Sequence, residues 1–167
     1  MKKILILGCC GAGKSTLARQ LNAKTGIEII HLDQYYWKAN WQETEPTEWK
    51  KRVQKLADRP VWIMDGNYGS TLDMRIEKAD TIIYLDSPTY LNLWRIIKRT
   101  WQYHGTERPD MPAGCKERFD FEFFHYVAVF NLVRRPSLLR KLAAIDQSKR
   151  VVILKGNMEL THFLRDI

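Results

Sequence analysis

Five short stretches of the chain are rich in apolar residues, and the first of them, residues 3–7, is an almost unbroken aliphatic run. Such runs are typical of strands that are covered on both faces of a parallel sheet, because a half-exposed strand alternates apolar and polar residues. The runs occupy residues 3–7, 27–32, 61–64, 81–85 and 151–154.

Between these runs, apolar residues recur at the three- and four-residue spacing of amphipathic helices. The predicted helices cover residues 15–22, 44–57, 71–78, 88–99, 119–135, 136–144 and 158–164. The helix over 44–57 has clear start signals, with Thr44 as the expected cap and Pro46 in the first turn. Strands that alternate with helices predict an α/β fold, in which helices cover both faces of one parallel sheet.

The segment between the first strand and the first helix is rich in glycine. Residues 8–15 read Gly-Cys-Cys-Gly-Ala-Gly-Lys-Ser, which matches the pattern Gly-x-x-x-x-Gly-Lys-Ser without gaps. Glycines let backbone N–H groups point at phosphate oxygens, and the positive end of the following helix adds to their attraction. This P-loop predicts that the chain binds ATP and Mg²⁺, with Lys14 neutralising the phosphates and Ser15 binding the metal. The expected nucleotide contacts are Gly8, Cys9, Cys10, Gly11, Ala12, Gly13, Lys14, Ser15 and Thr16.

Two aspartates follow predicted strands at the edge of the sheet where ligands of parallel sheets bind. Asp33 follows the second strand and Asp65 follows the third. Either carboxylate can hold Mg²⁺ through water, and Asp33 can also accept the proton of an attacking hydroxyl. The alternative interpretation is a helix cap or a turn residue, since aspartate is common at both places.

Polar and aromatic residues beside these aspartates are candidate contacts of a small-molecule phosphoryl acceptor. The candidates are Asp33, Tyr36, Trp37, Asp65, Gly66, Asn67 and Arg75. The aromatic rings can stack on the acceptor. The alternative is that they pack beneath the neighbouring helix.

Lys and Arg number 27 against 19 Asp and Glu, a net charge of +8 that suits an anionic partner. Residues 94–141 hold ten of the basic residues and five acidic ones. Arg95 and Arg99 share a helix face, where they could stabilise a transferring phosphoryl group. Glycines and prolines over 104–118 predict a lid within about residues 100–120. A solvated basic face is the alternative for each single arginine.

Three cysteines, two of them adjacent, fit neither a disulfide framework nor a zinc site. No apolar run approaches the roughly 20 residues of a membrane helix, and no cleavable leader is recognisable. We therefore expect a single domain over 1–167 in the cytoplasm, with no membrane partner, as a monomer or a homodimer.

Together these motifs resemble the P-loop kinases of the adenylate kinase and shikimate kinase type, and more narrowly the bacterial DNA topology modulation proteins. The matching residues are the P-loop, 31–33, 65–68, 71–75, 91–99, 108–112, 114–115 and 135–136. The resemblance implies a three-layer P-loop NTPase fold with five parallel strands in the order 2-3-1-4-5 and a helical lid. It also implies an acceptor-binding segment at about 34–57, joined by residues 65–75.

In kinases of this type, arginines in and after the lid bind phosphates, and a loop after the fifth strand holds the adenine. The positions that match are Arg95, Arg99, Arg108, Arg118, Arg134 and Arg135 for phosphate, and Gly156 and Asn157 for adenine. Asp65-Gly66 is not followed by the Pro-Arg of adenylate kinases, which argues against AMP as the acceptor.

The favoured hypothesis is a Mg²⁺-dependent phosphotransferase that acts on a nucleoside, a nucleotide or a small metabolite. A nucleotide-dependent regulator that binds DNA or RNA is the alternative from another class, and it draws only on the positive charge, because no nucleic-acid-binding motif is present. Simple NTP hydrolysis is a third hypothesis.

Overall fold

A computed structural model describes all residues, 1–167, and its centre is a five-stranded parallel sheet. The strands in chain order are β1 (Lys3–Gly8), β2 (Ile29–His31), β3 (Trp37–Lys38), β4 (Gln42–Glu43), β5 (Trp62–Asp65), β6 (Thr81–Leu85) and β7 (Arg150–Leu154). The sheet order is β2-β5-β1-β6-β7, while β3 and β4 form a separate antiparallel hairpin. The order differs from the expected 2-3-1-4-5 in numbering only, since the two hairpin strands intervene in the count.

Eight helices surround this sheet and include every helix predicted from the sequence. They are α1 (Lys14–Thr25), α2 (Leu32–Tyr36), α3 (Pro46–Ala57), α4 (Leu72–Lys78), α5 (Thr89–Tyr103), α6 (Phe121–Val133), α7 (Arg135–Ala143) and α8 (Asn157–Arg165). The short helix α2 and the hairpin were not predicted. None of the helices is long and apolar enough to cross a membrane.

The start of α3 differs from the prediction in its cap. The Glu45 carboxylate accepts the hydrogen bond from the Glu48 N–H at 2.9 Å, so Glu45 is the capping residue. The expected cap, Thr44, is buried and donates its hydroxyl to the Tyr36 carbonyl instead. Thr44 thereby ties the end of the hairpin to α2.

Two apolar cores lie on opposite faces of the sheet. Successive side chains of a strand point to opposite faces, so Leu5 and Leu7 of β1 enter one core while Ile4 and Ile6 enter the other. All four side chains are at most 1% exposed, which explains the unbroken aliphatic run.

The strand register brings the predicted functional segments to one edge of the sheet. His31, the last residue of β2, pairs with Asp65, and Asp65 also pairs with Ile6 near the end of β1. The P-loop, the helix α2 and the loop after β5 therefore begin side by side at the carboxyl ends of the strands, where parallel sheets bind ligands.

Candidate active site at the carboxyl edge of the sheet

The P-loop holds a backbone conformation that depends on its glycines. Gly8, Gly11 and Gly13 have φ angles of 143°, 81° and 101°, in the region that glycine adopts readily and other residues rarely do. Gly11 also lies against the start of α5, where an added Cβ would be 2.5 Å from the Asn92 carbonyl oxygen. The loop is thus shaped by α5 as well as by its own sequence.

Lys14 lies at the first position of α1 and folds back over the loop. Its Nζ donates to the carbonyl oxygens of Gly8 and Cys9 at 2.9 and 3.0 Å. Arg95 supports the same loop from α5, with its Nη1 3.3 Å from the Gly11 carbonyl oxygen. Arg95 therefore contacts the P-loop backbone and does not line the cleft described below.

Asn67 fastens the loop after β5 to the beginning of the P-loop. Its side-chain amide donates to the Gly8 carbonyl at 2.9 Å, and its oxygen accepts the Gly8 N–H at 3.3 Å. Sequence reasoning placed Asn67 among the acceptor contacts but gave no sign of this clamp.

Arg75 is fully buried and braces the same loop from beneath. Its guanidinium donates to the carbonyl oxygens of Gly66, Asn67 and Tyr68 at 2.7, 2.7 and 2.9 Å. Burial lowers the pKa of Arg75 to about 9, which leaves it charged at neutral pH. The prediction that Arg75 contacts an acceptor is wrong, because the side chain has no exposed surface and its donors are bound to backbone carbonyls.

Asp33 lies on α2 and is bound by Tyr68, a residue of the matching stretch 65–68 to which the sequence gave no role of its own. The Tyr68 hydroxyl donates to Asp33 Oδ1 at 2.5 Å. Burial raises the pKa of Asp33, and the hydrogen bond from Tyr68 opposes that rise. Asp65 adds to the rise, while the charges of Lys14 and Arg108 oppose it.

Asp65 is held in a second pair, with His31. Its Oδ1 lies 2.9 Å from His31 Nδ1, and Asp65 is only 5% exposed. Burial disfavours the protonated imidazole, but the hydrogen bond and charge of Asp65 outweigh it and raise the pKa of His31. One oxygen of Asp65 is thereby fixed by His31.

A cleft of about 1180 Å³ opens beside the P-loop and collects many of the predicted residues. Those that line it are Cys10, Lys14, Asp33, Tyr36, Trp37, Gly66, Asn67, Arg99, Arg108, Arg118 and Arg134. Residues to which the sequence gave no role of their own also line it, and they include Glu43, Tyr68, Glu117, Phe123 and Tyr126.

The aromatic residues around Tyr36 both pack and face the cleft. Tyr36 lies 5.0 Å from the ring of Trp49 on α3 and 4.6 Å from that of Tyr68. Trp37 and Trp41 pack edge to face at 5.5 Å, and both line the cleft. The two interpretations are therefore compatible for Tyr36, which packs against Trp49 of α3 and also lines the cleft.

Two of the predicted arginines share one buried carboxylate. Glu117 lies 3.0 Å from Arg108 Nε and 3.3 Å from Arg99, and it also accepts a hydrogen bond from Thr100. Glu117 and Arg108 are 5% and 8% exposed. Burial and the nearby charge of Arg108 lower the pKa of Arg99. Asp110 Oδ1 also lies 3.8 Å from Arg108 Nε, so two cations and two anions meet at the wall of the cleft.

Arg135 does not reach the cleft. Its Nε and Nη2 bind the two carboxylate oxygens of Asp86 at 2.7 Å each, at the start of α7. Two of its donors are thus bound to Asp86 outside the cleft, and the expected contact of Arg135 with a phosphate stays a prediction. Gly156 and Asn157 are exposed after β7 and lie outside the lining of the cleft, so their assignment to the adenine stays a prediction.

The segment predicted as a lid lies against the segment predicted to bind the acceptor. Its tip is joined to residues 34–41 by four hydrogen bonds: Gln34 Nε2 to the Pro109 carbonyl at 3.1 Å, Asn40 N–H to the Gly114 carbonyl at 3.0 Å, Trp41 Nε1 to the Lys116 carbonyl at 2.9 Å, and Cys115 Sγ to the Lys38 carbonyl at 3.3 Å. Sequence reasoning treated the lid and the acceptor segment as separate parts, and the structure joins them.

No group of three or more His, Cys, Asp and Glu side chains converges to form a metal cage. Mg²⁺ needs no such cage in phosphoryl transfer, because it keeps several waters and takes one or two protein ligands beside the phosphate oxygens. A Ser15 hydroxyl in the first turn of α1 and the Asp33 carboxylate at the cleft are oxygen donors of the kind that such a site uses.

A comparison with curated proteins finds a relative. Over 132 residues the chain is 31% identical to the uncharacterized protein YqaC of Bacillus subtilis (strain 168), covering 78% of this chain and 73% of YqaC. No family model matches the chain.

Solved structures with the same fold include small-molecule kinases. A shikimate kinase from Acinetobacter baumannii in complex with shikimate superposes with a TM-score of 0.60 at 17% identity, covering 99% of this chain and 90% of that one. A gluconokinase from Sinorhizobium meliloti 1021 gives 0.55 at 16% identity, covering 99% and 88%. A deoxyadenosine kinase from M. mycoides with bound dATP gives 0.54 at 16% identity, covering 99% and 98%. The predicted three-layer P-loop kinase fold is confirmed.

Proposed function

The chain belongs to the family of Bacillus subtilis YqaC and has the P-loop kinase fold, and from these premises we propose that it transfers the γ-phosphate of ATP to a hydroxyl group of a small acceptor. One observation carries the proposal. Lys14, the partly buried Asp33–Tyr68 pair and four arginines line a single cleft of about 1180 Å³, which is large enough for two small substrates.

The donor half of the site is the P-loop. Backbone N–H groups of residues 8–16 bind the phosphates, and Lys14 exchanges its bonds to the Gly8 and Cys9 carbonyls for phosphate oxygens. Ser15, supported by Asp33 and Asp65, holds Mg²⁺. When bound, the ion neutralises charge on the β- and γ-phosphates. Gly156 and Asn157 hold the adenine in this proposal.

The acceptor half is centred on Asp33. Its carboxylate orients the acceptor hydroxyl and takes its proton as the oxygen bonds to the γ-phosphorus and the bond to ADP breaks. A pKa raised by burial makes Asp33 a stronger base than an exposed aspartate, and Tyr68 fixes the carboxylate in one orientation. Tyr36 and Trp37 offer their rings to the acceptor.

The arginines of the cleft stabilise the negative charge on the phosphoryl oxygens during transfer. Arg99 and Arg108 lie beside Glu117 and Asp110, which balance their charge, whereas Arg118 and Arg134 line the same cleft with no ion-pair partner in the chain. Such cations stabilise the equatorial oxygens of the transferring group. The closed lid keeps water away, which suppresses hydrolysis of ATP.

A screen for ADP release across nucleosides, nucleotides and hydroxylated metabolites tests this function. We expect release that depends on one acceptor class, and a loss of at least about 100-fold in Lys14→Met, which removes the cation that neutralises the phosphates. Lys24→Met, an exposed change on the same helix, is the matched control and should keep wild-type turnover.

The outcomes separate the three hypotheses. Wild-type turnover in Lys14→Met would refute the site, and ADP release that no acceptor increases would indicate simple hydrolysis. A DNA titration at two salt concentrations, run beside the screen, covers the regulator. Tight binding that falls steeply with salt, together with no acceptor-dependent turnover, would favour that hypothesis.

A further inference from the structure

Helix α5 carries a row of large apolar side chains that face solvent. Tyr90, Trp94, Ile97 and Trp101 are 74%, 58%, 51% and 85% exposed. We call these four residues the α5 stripe. The opposite side of the same helix is buried through Asn92, Ile96 and Thr100, so the helix is apolar on a face that the chain itself leaves uncovered.

The spacing of the α5 stripe is that of a helix–helix seam. The four positions are separated by four, three and four residues, the heptad spacing that inserts side chains into a facing helix. At 3.6 residues per turn they fall within a sector of about 60°, which is narrower than the sector of 100° or more that helices on broad apolar surfaces show. A narrow seam fits another helix.

We propose that the α5 stripe is the interface of a homodimer, in which α5 of one copy packs antiparallel against α5 of a second copy. A fully buried aromatic side chain contributes roughly 150–250 Å², so the stripe exposes on the order of 500 Å² and two copies bury about 1,000 Å². With the stripe completely covered, the dimer thus lies at the lower limit of about 1,000 Å² for a specific interface. The proposal stands independently of the proposed function.

An antiparallel arrangement matches large side chains with complementary positions. With the two-fold axis between residues 95 and 96, Trp94 lies opposite Ile97 of the second copy, and Tyr90 lies opposite Trp101. Lys98 flanks the seam, and its Nζ lies 5.4 Å from the centre of the Trp94 ring, at the edge of the α5 stripe. A parallel arrangement would set each residue against itself.

Other occupants fit the α5 stripe less well. A single-stranded nucleic acid would need cations interleaved with the rings, whereas Ile97 lies between Trp94 and Trp101 and the one flanking cation is Lys98. A membrane surface would need a broad apolar sector, which the polar Lys98 and Gln102 restrict.

Sedimentation velocity on the whole chain tests the dimer. We expect a mass of twice the 19.7 kDa chain for the wild type, and a shift to the chain mass for Trp94→Glu and for Trp101→Glu. Met158→Glu, an equally exposed apolar position on α8, is the control and should stay dimeric. Unchanged circular dichroism and urea midpoints show that the variants are folded.

Mixing two variants tests the antiparallel orientation. Trp94→Glu and Ile97→Lys should each be monomeric alone, and their mixture should form a heterodimer. In the antiparallel seam, the new Glu at position 94 of one copy lies opposite the new Lys at position 97 of the other. The unchanged Ile97 of the first copy then lies opposite the unchanged Trp94 of the second. In a parallel seam the mixture gains no such pair. A mixture that stays monomeric while the wild type is dimeric therefore refutes the orientation.

Two results would overturn the dimer itself. One is a wild type that sediments as a monomer at 100 µM. If that monomer binds phosphatidylglycerol vesicles or an oligothymidylate, and Trp94→Glu and Trp101→Glu abolish the binding, the stripe serves that ligand instead of a dimer. The other is a dimer that persists in Trp94→Glu and Trp101→Glu, which would place the interface elsewhere.

Discussion

Tyr68 reaches from the loop after β5 to Asp33 on α2 and donates a hydrogen bond of 2.5 Å. A hydrogen bond to a carboxylate favours its charged form, so Tyr68 opposes the rise in the pKa of Asp33 that burial causes. Burial and the charge of Asp33 also raise the pKa of Tyr68, which keeps its hydroxyl protonated as a donor. Tyr68 thus sets the pH range in which Asp33 can take a proton.

Replacing Tyr68 by Phe should move the acidic limb of the pH profile of kcat/KM to higher pH. A hydrogen bond to a charged group contributes about 1.5–3 kcal/mol and one pKa unit corresponds to about 1.4 kcal/mol, so we expect a shift of about one unit or more. The shift is upward because, without the hydrogen bond from Tyr68, burial raises the pKa of Asp33 further. Asp33 then stays protonated, and inactive as a base, up to a higher pH. Tyr35→Phe, next to the site but outside the cleft lining, should leave the limb in place. An unshifted limb in Tyr68→Phe would contradict the role of Asp33 as the base.

The role of a single residue was predictable where the residue belongs to a local sequence motif. Lys14 and the glycines of the P-loop fall in this class, because the motif, the preceding strand and the following helix are contiguous in sequence. Arg75 looked like Arg99 in the sequence, yet Arg75 is buried under a loop and Arg99 faces the cleft. Tertiary packing determines whether such an arginine is buried or faces the cleft, and no local sequence pattern predicts that packing. Tyr68 was missed for the same reason, since its partner Asp33 is 35 residues away.

The lid and the hairpin of residues 37–43 act as one element because their contact is tight at Gly114. Gly114 has a φ of 84°, and an added Cβ would lie 2.8 Å from the Ala39 Cβ. Asn40 and Trp41 hold positive φ angles of 61° and 60° beside this contact, which are uncommon for residues other than glycine. The hairpin therefore keeps a strained shape where the lid docks on it.

Replacing Gly114 by Ala should loosen the lid from the hairpin. The new methyl group clashes with Ala39, and strain of this kind costs about 1–3 kcal/mol, which lowers the closed population by about tenfold. The reporter is the Asn40 amide, which donates to the Gly114 carbonyl at 3.0 Å and should exchange its hydrogen about ten times faster. Gly105→Ala is the matched control, because Gly105 has a similar φ of 73° but no atom within 4 Å of its added Cβ. Equal exchange in the two variants would mean that the steric contact does not hold the lid.

Across the whole molecule, the sheet was the part most fully predicted from the sequence. Its strands are buried on both faces, so each is recognisable from its own apolar residues, whichever strands it pairs with. The short helix α2 and the hairpin β3–β4 were missed, because they are stabilised by contacts with Tyr68, α3 and the lid rather than by periodicity. The cleft is formed where these contact-dependent elements meet the P-loop, so its contents could be predicted only in part.

Because the P-loop, the loop after β5 and α5 are fastened together through Asn67, Arg95 and Gly11, a ligand in the P-loop should stabilise the whole fold. At a concentration of 100 times its Kd, a ligand that binds only the folded state adds about 2.7 kcal/mol. For a domain of this size that corresponds to a rise in Tm of roughly 5–10 °C, which differential scanning fluorimetry with Mg²⁺–ATP would detect. Lys14→Met should lose most of the rise while keeping the ligand-free Tm, and Lys24→Met should keep both. If ATP gave no rise in the wild type and an oligonucleotide did, the anion that this fold binds would be nucleic acid.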